Sequence, residues 1–297
     1  MTAVSADLAP AATPRSRRGR FALIAAALLA PMALINLVAF VVPVLRLAQI
    51  SFQESRSSGV LTDVYSLRNY LGFFTDSFNL SLIANSLAMS FAVTLATLAC
   101  AYPIAMFLHR APAHWRNILF VITVSPLLVS SVVRTYGWMV LLGDQGLVNG
   151  ALLSLGLVQS PLRLVNNMTG VFIGLVEILM PYMALSLMAG FGRLEASHEE
   201  AAASLGAGPF TRFRRIVLPL TLPGIALGCL LCFVLAISSF ITPKLLGGGR
   251  VFLLATEIYD QAVIQLQWPM AATISVIVLI IFGAALAAYA RIVRRFD

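Results

Sequence analysis

Six long apolar runs, separated by shorter polar segments, dominate the pattern of hydrophobic and polar positions along the chain. Each run has at least the roughly 20 residues that an α-helix needs to cross a bilayer. The pattern therefore predicts an all-α integral membrane protein with six transmembrane helices. Their predicted positions are about 21–45, 80–108, 118–142, 168–191, 220–242 and 271–290.

A cleaved signal peptide is the alternative interpretation of the first run, because the run follows four arginines at positions 15, 17, 18 and 20. The apolar core of a signal peptide is only about 7–15 residues long. The run 21–45 is longer and further spans follow it, so we expect a retained helix. Pro31 and Pro43 are compatible with that helix, since spanning helices tolerate proline.

The composition excludes a water-soluble protein. Hydrophobic residues make up 60% of the chain and charged residues only 11%, whereas about a quarter of the residues in a soluble domain are charged. The net charge of +8 fits arginines placed at helix ends as topology signals. We therefore expect a lipid bilayer as partner and no nucleic acid.

The distribution of basic residues predicts that both termini lie in the cytoplasm. The predicted domains are a tail at 1–20, a transmembrane domain at 21–290 and a second tail at 291–297. With this orientation, the inner segments hold 13 of the 20 basic residues, namely Arg15, Arg17, Arg18, Arg20, Arg110, Arg116, Arg193, Arg212, Arg214, Arg215, Arg291, Arg294 and Arg295.

Two of the outer segments have helical character. Apolar residues between Leu254 and Leu266 recur at helical spacing, with Glu257, Asp260 and Gln261 on the other face. We expect a short amphipathic helix there, with Trp268 as an interfacial anchor. A short helix is also predicted within 146–157, and an ordered loop at 63–76.

The inner segment 192–219 predicts two short helices around a glycine bend. Ser197 and Glu200 have the spacing of a capping box, which starts a helix. Gly206 suits the left-handed turn that ends it. Pro209 suits the first turn of a second helix, and Pro219 is expected to break that helix before the fifth span.

The same segment resembles the EAA signature of the membrane-spanning subunits of binding-protein-dependent ABC importers. Its elements are Glu200-Ala201-Ala202, then Gly206, Ile216 and Leu218-Pro219. The resemblance implies the type I importer permease fold, in which this loop is a coupling helix that docks on a cytoplasmic ATPase. The residues implied in ATPase coupling are Glu199, Glu200, Ala201, Ala202 and Gly206.

Further motifs resemble the spermidine/putrescine branch of these permeases. They begin at Arg134 (RTYGW), Gly146 (GLVN), Leu179 (LMPYM) and Trp268 (WPMAA). The resemblance implies half of a translocation pathway in a bacterial inner membrane, completed by a second homologous permease. It also implies two copies of the ATPase, an extracytoplasmic binding protein and a polyamine cargo. An amino-acid-like solute, an organic anion and an ATP-independent secondary transporter remain as alternatives.

The chain shows no site for ATP, metal or catalysis. It lacks the phosphate-binding spacing G-x-x-x-x-G-K-[ST], so ATP and Mg²⁺ are expected on the partner ATPase. The three histidines have no metal-ligand spacing, and Cys229-x-x-Cys232 falls inside an apolar run. We therefore expect no cofactor on this chain and no enzymatic activity of its own.

Glu177 is the acid deepest within a predicted span, where a charge is costly and faces a cavity or a partner. We keep two interpretations: a group on the substrate pathway that attracts a cationic cargo, or one half of an ion pair with Arg134. Arg134 otherwise extends to the outer interface. Tyr136, Trp138 and Tyr182 are candidates for an aromatic lining of the pathway, or for helix packing and an interfacial belt.

Overall fold

The computed structural model describes residues 15–55 and 61–294, most of them helical. Residues 1–14 and 295–297, which belong to the two predicted tails, lie outside the described residues. The chain divides into two compact units, Met1–Gln49 and Ile50–Asp297. The first unit is represented by helix α1, Arg15–Ser51, whose last two residues belong to the second unit and which contains Pro31 and Pro43.

The second unit begins with a small hairpin and a short helix. Strands β1 (Gln53–Ser55) and β2 (Leu61–Tyr65) are antiparallel, with Gln53 opposite Tyr65. Helix α2, Arg68–Thr75, follows directly. Asn69 donates hydrogen bonds to the backbone oxygens of Ser51 and Gln53 at 3.0 and 2.9 Å. The segment 63–76, which we expected to be an ordered loop, is therefore a strand and a helix.

Three long helices form the centre of the second unit. They are α3 (Ser77–Arg110), α7 (Met168–Phe191) and α10 (Leu218–Ile237), and they pack on one another. Asp76 caps α3, since its carboxylate accepts from the amide of Phe78 at 2.9 Å. The core between them is apolar, with fully or almost fully buried side chains that include Val93, Leu175, Met183, Leu187 and Cys232.

Helices α7 and α10 cross where two glycines meet. A Cβ on Gly224 would lie 2.7 Å from the Cα of Gly190 and 2.8 Å from the carbonyl oxygen of Ser186. Only glycine at both positions lets the two backbones approach this closely. Small residues at crossings are the usual device by which helices pack tightly in membranes.

The third predicted span, 118–142, is broken. Helix α4 (Ala113–Val124) passes into a 3-10 turn at Ser125–Leu128, and α5 (Ser131–Leu142) starts in a new direction. The two parts are bent by 99°. Pro126 lies in the turn, where it cannot donate an amide to a continuing α-helix. The predicted helix within 146–157 is α6, Leu147–Ser154.

The remaining elements are short segments at the ends of the bundle and one further long helix. Helices α8 (Ala196–Ser204) and α9 (Pro209–Arg212) join α7 to α10 through a π-helical turn, Phe213–Val217. After α10 come α11 (Ile241–Leu246), α12 (Leu254–Tyr259), a second π-helical turn (Asp260–Ile264) and α13 (Trp268–Val293). The second apolar cluster joins these later helices to α2 and α3 through Phe73, Leu82, Phe233, Leu254 and Ile274.

Five helices of the described chain are long and apolar enough to cross a membrane, and a sixth is obtained if the bent pair is one span. One predicted span differs clearly from the structure. The helix that contains the fifth span runs from Pro209 to Ile237, so it begins earlier and ends earlier than 220–242. Helix α1, Arg15–Ser51, contains the whole of the predicted first span, 21–45.

The crossing of α7 and α10 predicts the effect of a single methyl group. Gly224→Ala must push the two backbones apart, and such overpacking costs about 1–3 kcal/mol. We expect the solubilised protein to melt several degrees lower, at roughly 2–4 °C per kcal/mol for a chain of this size. Gly283→Ala in α13 is the matched control, because a Cβ there meets no atom within 4 Å. Equal melting temperatures for the two variants would contradict the close crossing.

Candidate functional site

The segment 192–219 folds as two helices around a glycine bend, as the sequence predicts. Helix α8 ends at Ser204, and Gly206 has a φ of +81°, the left-handed conformation that glycine adopts without strain. Pro209 is the first residue of α9, where its missing amide hydrogen leaves no partner unsatisfied. The bend projects α8 and the start of α9 from one end of the bundle.

The predicted capping box of Ser197 and Glu200 is wrong. Helix α8 starts at Ala196 with Glu195 as its N-cap residue, and no side chain caps it. Ser197 lies inside the first turn, where its hydroxyl donates to Oε2 of Glu195 at 3.2 Å. Glu200 therefore does not cap the helix, and its side chain is exposed.

The predicted break at Pro219 is also wrong, because α9, the π-helical turn and α10 form one continuous helix. Pro219 is the second residue of α10. It lacks an amide hydrogen, and a proline ring inside a regular α-helix clashes with the preceding turn. The π-helical turn just before it, in which the amide of Leu218 bonds to the oxygen of Phe213, accommodates the proline without ending the helix.

The two neighbouring glutamates of α8 have different surroundings. Nη2 of Arg110, at the end of α3, lies 2.9 Å and 3.2 Å from the two carboxylate oxygens of Glu199. Glu200 makes no hydrogen bond or ion pair with any described residue, and it faces solvent. Among the other predicted coupling residues, Ala201 and Gly206 are exposed and Ala202 is half-buried.

Two large apolar side chains stand beside these residues. Leu205 is 88% exposed and Phe210 is 73% exposed, one on each side of the glycine bend. The sequence interpretation did not single them out. The sequence did contain a signal, because both are large apolar residues next to the predicted glycine bend and outside the predicted spans. An apolar pair next to an exposed carboxylate is suited to a protein partner.

The second candidate site is built on Glu177 in α7. Nη1 of Arg134 lies 3.3 Å from its Oε1, and Nε1 of Trp138 donates to its Oε2 at 3.1 Å. Arg134 and Trp138 are one turn apart on α5 and therefore share the face that meets α7. The side chain of Arg134 is only 11% exposed and that of Glu177 is 29% exposed. Of the two interpretations of Glu177, the structure contains the ion pair.

The predicted aromatic set is only partly assembled. Trp138 contacts Glu177, whereas Tyr136 lies two residues away on another face of α5 and is 53% exposed. Tyr182 is exposed on α7. Neither tyrosine makes a hydrogen bond or ring contact with Glu177, Arg134 or Trp138 in the described structure. The guanidinium of Arg134 pairs with Glu177 through Nη1, and its extension to the outer interface stays a prediction.

A third polar cluster, at the other end of the bundle, was not predicted. Nζ of Lys244 in α11 lies 2.5 Å from a carboxylate oxygen of Asp260 and 5.4 Å from the ring centre of Tyr259. Phe240 stacks on Tyr259, with their ring centres 4.5 Å apart. The predicted amphipathic helix is present, but Glu257 is not on its polar surface: it is buried and accepts from Gln261 at 2.8 Å.

Three comparisons with known proteins place these observations in context. The family described as "Binding-protein-dependent transport system inner membrane component" matches residues 101–297, which include α5, α7 and the whole segment 192–219.

Among the described residues, no group of three or more His, Cys, Asp or Glu side chains could hold a metal ion.

Two relatives align with most of the chain. It is 34% identical over 250 residues to the spermidine/putrescine transport system permease protein PotB of Haemophilus influenzae, covering 84% of this chain and 87% of the relative. It is 35% identical over 256 residues to PotB of Escherichia coli K12, covering 86% and 93%. A solved bacterial alginate ABC transporter, in complex with an alginate pentasaccharide-bound periplasmic protein, has the same fold. It superposes with a TM-score of 0.72 at 16% identity, covering 94% of this chain and 96% of that one.

The pair between Arg134 and Glu177 predicts a non-additive effect of neutralisation. Glu177→Gln leaves the largely buried guanidinium without its counter-charge. This costs at least about 1–3 kcal/mol, because losing a partner costs more for a charged group than for a neutral one. Arg134→Gln likewise leaves the carboxylate of Glu177 without its counter-charge. We expect each single variant to melt several degrees lower and the double variant to recover much of the loss. Thermal unfolding of the solubilised proteins measures this, and additive losses would show that the pair is energetically neutral.

Proposed function

Because the chain belongs to the family of binding-protein-dependent transport system inner membrane components, and is a multi-pass permease subunit of an ABC importer, we propose that its cargo is a polyamine. The observation that carries this proposal is the 35% identity over 256 residues to a spermidine/putrescine permease. The importer then works by closing two ATPases in the cytoplasm, and this chain forms half of the pathway that opens in response.

The exposed surface of α8 and the glycine bend supports the coupling role of this loop. We name it the coupling surface and define it by Glu200, Ala201, Leu205, Gly206 and Phe210. Burying an exposed leucine or phenylalanine on a partner gains about 1.5–3 kcal/mol per side chain. Small residues beside them allow a close approach, and Glu200 offers an unpaired negative charge. An ATPase cleft with apolar walls and a cation would complement these features.

The distribution of charge supports the orientation that this role requires. The coupling surface lies at the end of the bundle that also carries Arg110, Arg193 and Arg212, and basic residues are retained in the cytoplasm. With that end inside, both termini are cytoplasmic. ATP and Mg²⁺ are then bound by the ATPases and not by this chain, and a binding protein delivers the solute to the opposite side. The solved alginate transporter is in complex with a periplasmic protein.

The ion pair of Glu177 bears on the choice of cargo. Its carboxylate is already neutralised by Arg134, so a cationic solute that binds there has to displace a guanidinium. This exchange is chemically reasonable for an ammonium group, because both cations donate hydrogen bonds to a carboxylate. Trp138, which touches the same carboxylate, adds an aromatic face that attracts cations.

The coupling role predicts a large effect of reversing one charge. We expect Glu200→Arg to lower ATP-dependent uptake by about tenfold or more, the size of effect found at central interface residues, while the protein still inserts and assembles. Uptake into proteoliposomes that contain the complete importer measures this. Arg116→Glu is the control, because it reverses the charge of an exposed residue of α4 that lies outside the coupling surface. Equal uptake for Glu200→Arg and wild type would contradict the docking role.

The cargo is tested with a panel of putrescine, spermidine, amino acids and small organic anions. We expect a polyamine to raise the melting temperature of the binding protein and to be taken up when ATP is supplied. Uptake of an anion or a neutral solute instead would reject the polyamine and keep the importer. Uptake that persists without the ATPase would overturn the importer assignment.

A further inference from the structure

The coupling helix α8 is weakly anchored to the rest of the protein. None of its described side chains is buried, so apolar packing holds it against the bundle only weakly. Chain connections attach it at both ends, through residues 192–195 and through the glycine bend. Within the part of the chain that the structure describes, one ion pair joins it to a spanning helix, between Glu199 and Arg110, which are 89 positions apart in the sequence.

The end of α3 that carries Arg110 is itself firmly held. His109 stacks on Phe191, the last residue of α7, with ring centres 5.4 Å apart and planes 24° apart. Tyr102 lies two turns earlier in α3. Its ring centre is 5.5 Å from that of Phe191 and 5.9 Å from that of Phe213, in the helix that contains the fifth span. Arg110 therefore extends from a point that is fixed to both α7 and the helix containing α10.

The contacts of Tyr102 add a hydrogen bond to this anchor. Its hydroxyl lies 3.1 Å from the hydroxyl of Thr221 in α10. Phe191 is almost completely buried beneath the cluster. The aromatic cluster thus links three spanning helices at the end of the bundle where α8 projects, and the pair of Arg110 and Glu199 extends that link to α8.

We propose that Arg110 is a positioning residue, which fixes the orientation of the coupling helix through Glu199 and thereby directs Glu200 toward the ATPase. Successive residues of an α-helix point about 100° apart, so holding Glu199 against the bundle turns Glu200 outward. The two acids then have separate partners, Glu199 within this chain and Glu200 on the ATPase. This inference rests on the proposed docking of α8.

The ion pair of Arg110 and Glu199 is strong enough to orient α8 but contributes little to the stability of the fold. The side chains of Arg110 and Glu199 are 49% and 20% exposed, and exposed pairs contribute little to folding. Losing the pair should leave the fold intact and let α8 turn relative to α3. Closure of the ATPases would then move α8 without moving α3 to the same extent, so ATP would be hydrolysed with less transport.

The experiment is a charge-swap cycle in the complete importer in proteoliposomes. The variants are Arg110→Glu, Glu199→Arg and the double swap, and the quantity measured is solute transported per ATP hydrolysed. The probe is the solute of the panel above with the largest uptake. We expect each single reversal to lower this ratio by about two- to fivefold, the equilibrium effect of an exposed ion pair, and the double swap to restore most of it.

Two further variants separate positioning from a general structural role. Arg110→Lys keeps the positive charge and should retain most of the ratio, since lysine still pairs as a point charge. Arg116→Glu, an equal reversal at an exposed arginine of α4, should leave the ratio unchanged. A double swap no better than the single variants, or a ratio unaffected by Arg110→Glu, would overturn the inference while wild-type uptake still supports the importer. Absence of ATP-dependent uptake in the wild type would overturn both.

Discussion

In a bilayer no water replaces a lost hydrogen bond, so each polar group of the bundle depends on a partner within the protein. Several hydroxyls of the spanning helices meet this requirement locally, although the buried hydroxyls of Thr94 and Thr97 in α3 have no partner in the described structure. Ser90, Thr221 and Thr273 donate to carbonyls one turn earlier in their own helices, at 2.7 to 2.9 Å. A charge cannot be satisfied in this way, and Arg134 accordingly needs Glu177 on another helix. The constraint on polar groups therefore also fixes how α5 lies against α7.

Apolar patterning predicted the helices of this fold well where packing is regular. The run 168–191 coincides with α7, because its residues are apolar around the whole helix and are bounded by Asn167 and Gly192. Hydropathy did not predict the bend at Ser125–Leu128, since the segment lies inside a long apolar run; its signal is the turn-favouring pair Ser125-Pro126. Nor did it predict that α10 continues through Pro219. The π-helical turn that accommodates this proline follows from tertiary packing and has no sequence signal of its own.

Prediction of the candidate sites depended on whether a partner lies nearby in the sequence. The glycine bend is a local feature, so Gly206 and Pro209 were sufficient to locate it. The split between Glu199 and Glu200 was not predictable, because the partner of Glu199 lies on a distant helix. The ion pair of Glu177 remained one of two alternatives for the same reason. To choose between the two alternatives, one must know how α5 and α7 align with each other, and hydropathy does not show this.

The separation of Arg134 and Glu177 along the chain has a consequence for biosynthesis. Glu177 is synthesised 43 residues after Arg134, and ribosomes add about 5–20 residues per second. For about 2–9 s, the arginine of α5 has left the ribosome while its counter-charge is still inside it. Settling in the hydrocarbon by itself is therefore unfavourable for α5 at that time. We expect it to stay near the insertion machinery or at the membrane surface until α7 follows, so that an ion pair as well as hydropathy affects the order of insertion.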